Sequence, residues 1–218
     1  MGLLNGLFGA GRNAERVLAD YAPLEWPHPR EGIHLSAGER AANLAYFLLV
    51  KDARVELVTG ALADLGVEVP PPSQADEASG TSVRLHDLAH STLCKIKGFG
   101  KICAPDWRDR PVSGREARLL SFACDLGIYC GEAAVETRDF AWTIDDTKYK
   151  PGNAMTTQGN VVICKKVPFD PKPIDRFIDI IAHPVYTVHD EDRIRQGKGL
   201  AWVNGFSFLD DLTSGRHG

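Results

Sequence analysis

The stretch "SGREARLLSFACDLGIYCGEAAVETRDFAWTI" (113–144) decides the fold. It opens with Ser113 and Glu116 at the spacing of a capping box, in which the serine accepts a first-turn amide and the glutamate reaches back. Leu119, Phe122, Ala123, Leu126, Tyr129, Cys130 and Ala133 then cover much of a helical circumference. A helix apolar nearly all round belongs in the middle of a core. Gly127 and Gly131 lack a Cβ, which lets another backbone come close. After Asp139 the period changes to two: Phe140, Trp142 and Ile144 alternate with Ala141 and Thr143, the mark of a strand. "NVVICKK" (160–166) predicts a second strand. The long "DDTKYKPGNAMTTQG" between them is no tight hairpin.

Upstream, the chain is helical. Ala14, Val17, Leu18 and Tyr21 pattern a short amphipathic helix, and "PLEWPHPREGIHL" (23–35) is a proline-broken connector. Ser36 and Glu39 make another capping box, for a helix running to about Val50. A further helical stretch follows through Val55, Val58, Leu62 and Leu65, with Gly66 as a left-handed stop. "PPPSQADEASGTS" (70–82) has little to bury and reads as a flexible linker or loop. Residues 83–97 predict a helix whose apolar face holds Leu85, Leu88, Ala89, Thr92, Leu93 and Ile96, followed by a basic loop, "GFGKICAPDWRDRPV". "KPIDRFIDIIAHP" predicts a short helix with Pro173 near its start, and the tail "GLAWVNGFSFLDDL" alternates like a strand. The expectation is α+β: helices first, then a small, mostly antiparallel sheet packed on the central helix at about 113–135. Its parts are a helical subdomain (1–69), the 70–82 segment, and an α+β domain (83–218), with one overall domain as the alternative.

The chain carries 25 Lys and Arg against 29 Asp and Glu, for a net charge of −4. That argues against bulk nucleic-acid binding. Residues 1–80 hold six of the basic and eleven of the acidic residues. Five cysteines, an odd count without C-x-x-C, indicate reduced thiols in a cytoplasmic protein. The first residues lack the shape of a secretory signal, no stretch is apolar enough for a membrane span, and Gly6 stands where a myristoylation signal needs Ser or Thr.

Two sets of residues invite a functional reading. Glu132, Glu136, Asp139, Asp145 and Asp146, with Arg138 alone against them, form an acidic run able to steer a basic protein partner. "HDLAH" (86–90) resembles the HD-x-G-H segment of HD-domain metal phosphohydrolases, with Ala89 in place of the glycine. The resemblance implies His86 and Asp87 as ligands of a divalent metal and His90 as a phosphate contact. Against it, the HD fold is all helical, and His34 lies farther upstream than that family's first histidine. "KGFGKICA" (97–104) has Lys101 and Ala104 where an RNA-recognition strand needs aromatics. "GAGRNA" (9–14) lacks the preceding strand of a dinucleotide site. No G-x-S-x-G is present.

The succession "LLSFACDLGIYCGEAAVE…DFAWTIDD…NVVICKK", over roughly 115–166, is similar to small uncharacterised bacterial domains that sit beside polymorphic toxins as immunity proteins. Gly131-Glu132 followed by Trp142 carries that resemblance. It implies a non-catalytic cytoplasmic protein, without cofactor, that blocks an effector such as a type VI secretion toxin by covering its active site. It transfers no catalytic residue.

Overall fold

The computed structural model describes residues 3–148, 157–165 and 177–197. In chain order the elements are α1 (Leu3–Val17), α2 (Ala37–Asp64), α3 (Thr81–Ser91), α4 (Phe99–Ile102), α5 (Gly114–Thr137), β1 (Phe140–Ile144), β2 (Val161–Lys165), β3 (Phe177–Ile178) and α6 (Ala182–Arg195). The fold is α+β, with a three-stranded antiparallel sheet of order β1-β2-β3. Trp142 pairs with Ile163, and Ile163 in turn with Ile178.

The central helix is as expected. Every residue of α5 from Leu119 to Ala134 is buried. Helices α2 and α6, β1 and the segment around residues 72–74 all pack on it. Gly127 lets the backbone of Ile180 and Ile181 reach the helix: a Cβ there would lie 2.4 Å from the Ile180 oxygen. At Gly131 the close neighbour is a side chain instead, because a Cβ would fall 2.3 Å from the Trp142 ring.

Helix α2 is one helix of 28 residues, not two. Lys51, Asp52, Ala53 and Arg54 continue it, since nothing between Gly38 and Gly60 breaks a helical backbone. It starts on the expected capping box of Ser36 and Glu39. It stops at Gly66, with φ +78°, where Val67 N–H donates to Leu62 and Gly66 N–H to Ala63. This is the paired hydrogen-bond ending of a Schellman motif.

Elsewhere the structure departs from expectation. Ser113 makes no side-chain cap bond: Gly114 enters α5 at φ +54°, outside the helical geometry that a capping box needs. Helix α3 ends at Ser91, and Thr92 (φ −129°, ψ −61°) breaks the predicted 83–97 helix before a 3-10 turn over Leu93–Lys95. Cys94 is thereby turned inward and buried. The predicted basic loop contains α4 and buries Phe99, Ile102, Cys103 and Trp107. The 70–82 segment holds two 3-10 turns, buries Ala75, and receives the Tyr129 hydroxyl on the Pro70 carbonyl at 2.8 Å. Phe177 and Ile178 are strand where a helix was expected, and α6 starts only at Ala182. Pro173 and the aromatic tail lie outside the described residues. None of the five cysteines is in a disulfide, and all are buried. Among the described residues no helix is long and apolar enough to cross a membrane.

Candidate functional site

A cavity of about 590 Å³ opens between the 23–35 connector, the 107–114 segment, the first turns of α5 and the start of β2. Each wall has a physical anchor. Leu24 N–H donates to Ser121 Oγ at 2.7 Å. Asn43 of α2 clasps the connector twice, accepting from His28 N–H and donating to the His28 carbonyl, both at 3.0 Å. Gly32 N–H donates to Asn160 Oδ1 at 2.8 Å, and Arg40 Nε donates to the Gly32 carbonyl at 2.9 Å. The connector touches the start of β2 so closely that a Cβ on Gly32 would lie 2.0 Å from Gly159. On the far wall Trp107 is buried, with the Arg108 guanidinium 4.4 Å from its ring centroid and Arg108 Nη2 donating to Asp179 at 2.8 Å.

The lining is largely apolar: Leu24, Trp26, Leu35, Val112, Leu120 and Ile181 face the space. Its size falls within the roughly 300–1,000 Å³ typical of small-molecule pockets. Ser113, Ser121 and Cys124 line it, and the last two are engaged or held neutral. Ser121 donates to the Ala117 carbonyl at 2.7 Å while accepting from Leu24. Burial pushes the Cys124 thiol well above its ordinary range, so it stays protonated and unreactive.

The acidic run divides. Glu136, Asp139 and Asp146 are exposed. Glu132 is buried in the protein, accepting from the Trp142 indole and pairing with Lys51 Nζ at 2.8 Å. Asp145 is fully buried, accepting from Thr147 N–H at 3.0 Å and Thr157 Oγ1 at 2.6 Å. These two carboxylates therefore stand inside, where they organise the fold, and not on an outer ridge. The Gly131-Glu132…Trp142 motif is a packing unit: the glycine makes room for the indole that its neighbour binds.

His86, Asp87 and His90 fall on α3, with His86 half-buried and the other two exposed. The His86 and His90 rings stack at 6.0 Å, and His90 Nδ1 lies 2.7 Å from Glu191 of α6. They do not assemble as a ligand trio, because the helix directs Asp87 to solvent and His90 to a different element. Among the described residues, the set with metal-ligand spacing is Glu31, His34 and Asp109, whose donor atoms lie within 4.8 Å of one another. Asp109 borders the cavity, its Oδ2 3.5 Å from His34 Nε2 and its Oδ1 accepting from Glu31 N–H. The predicted basic loop is likewise partly internal, since Arg108 pairs with Asp179. No family model, curated protein or solved structure matches the chain.

The cavity was not legible in the sequence. Its walls come from segments up to 158 residues apart in the chain, and their residues are those of ordinary connectors. The one available signal was the density of Trp and Pro in "PLEWPHP" and "PDWRDRP", which gives stiff, apolar loop walls.

Proposed function

We propose that this is a non-catalytic binding protein that holds a small apolar ligand in the cavity. The carrying observation is the cavity itself: about 590 Å³ of largely apolar space in which the Ser121 hydroxyl is engaged and the Cys124 thiol held neutral. Such a wall can enclose a ligand by burying its surface, but offers no activated nucleophile. N-phenyl-1-naphthylamine, an uncharged fluorescent aromatic, tests the reading. Saturable one-to-one binding is expected, with loss of binding in Ala117→Phe, which places a ring in the space while thermal stability is retained. Failure of the wild type to bind, or unchanged binding in the filled variant, overturns it.

A second reading rests on the exposure of Glu136, Asp139 and Asp146. These carboxylates near the end of α5 and around β1 suit a basic partner, and an immunity protein that covers a toxin's active site would use them. Co-purification with a toxin-like protein encoded beside this one, abolished by the triple change to Lys, is the outcome this reading requires.

A further inference from the structure

The proposal that the cavity holds a largely apolar ligand leaves its charge open, and Arg110 narrows it. Arg110 lines the cavity and is half-buried. Its Nη2 donates to two backbone carbonyls, Ile102 at 2.7 Å and Lys101 at 3.2 Å. Its Nε is buried without a hydrogen-bond partner. No carboxylate forms an ion pair with it among the described residues. The other charges of the lining are differently placed. Arg108 is paired with Asp179, while Arg30, Glu25 and Asp109 are exposed, the last facing His34.

A guanidinium does not lose its proton in proteins, so Arg110 carries a full charge. Neutral carbonyl partners satisfy a donor but do not balance that charge. A half-buried guanidinium whose charge no carboxylate balances offers a charge-assisted partner to an anion in the adjacent apolar space. We infer that the cavity binds a small organic anion: an apolar, ring-sized body against Val112, Leu120 and Trp26, with a carboxylate or sulfonate at Arg110. This rests on the cavity reading above and adds the sign of the ligand's charge.

Two matched probes separate the inference from the reading beneath it. 8-Anilinonaphthalene-1-sulfonate carries an anionic group on the same aromatic body as the uncharged N-phenyl-1-naphthylamine. The wild type is expected to bind the sulfonate about tenfold or more tighter, the size of a charge-assisted hydrogen bond. Arg110→Met, which keeps the apolar stem, should bring the sulfonate to the level of the neutral probe and leave the neutral probe unchanged. Arg110→Lys should retain most of the preference. Equal affinity of the wild type for both probes overturns the anion assignment and leaves the apolar cavity standing. A preference that survives Arg110→Met also overturns it. Binding of neither probe overturns both. Should Arg110→Met fail to fold, the two-probe comparison on the wild type decides.

Discussion

Arg54 of α2 and Asp125 of α5 meet inside the protein as a two-pronged ion pair. Nε donates to Oδ1 at 3.0 Å and Nη2 donates to Oδ2. The Tyr21 hydroxyl donates to the same Oδ2 at 2.5 Å, and Arg54 Nη2 also reaches the Ala22 carbonyl at 2.9 Å. One buried charge cluster thus joins α2, α5 and the start of the connector that walls the cavity.

Breaking the pair leaves an uncompensated charge in the interior. Arg54→Met and Asp125→Leu should each destabilise by about 3–5 kcal/mol in urea unfolding. The double variant Arg54→Met/Asp125→Leu should cost less than the sum of the single changes, because no charge is left behind. Additive losses would show that the two residues act independently.

The two serines with capping-box spacing should behave differently. Ser36 accepts from Glu39 N–H and receives the glutamate in return. Ser36→Ala should cost about 1 kcal/mol. Ser113 makes no such bond, so Ser113→Ala should leave the unfolding midpoint nearly unchanged. Equal losses at the two sites would mean that Ser113 also caps.

Gly131→Ala would place a methyl on the Trp142 ring. Overpacking of this kind costs typically about 1–3 kcal/mol. The indole should leave Glu132, with a shift in tryptophan emission alongside the lower stability. An unchanged spectrum would show that the ring has room to spare.

The sequence by itself determined α5, β1, β2 and both ends of α2, but not α4, β3 or the early end of α3. The change of period at Asp139 placed α5 before β1, and the all-round apolar pattern put α5 at the centre of the core. The Ser36–Glu39 box and Gly66 marked both ends of α2, because caps depend on residues within a turn of one another. Local patterns failed where distant groups decided the outcome. The acidic run looked continuous, but Glu132 turned inward to Lys51 and Trp142, and Asp145 became buried beside Thr157. Asp125 escaped notice, since a single carboxylate in an apolar helix shows its role only once Arg54 is found beside it.

Only the tertiary structure decided which charges became internal partners and which stayed at the surface. Ion pairing inside a protein requires two side chains to converge in a low-dielectric space, and their separation along the chain says nothing of that distance. The cavity has the same origin: it is the volume left between segments that Asn43, Asn160 and Ser121 tie together, and no run of residues encodes an empty space.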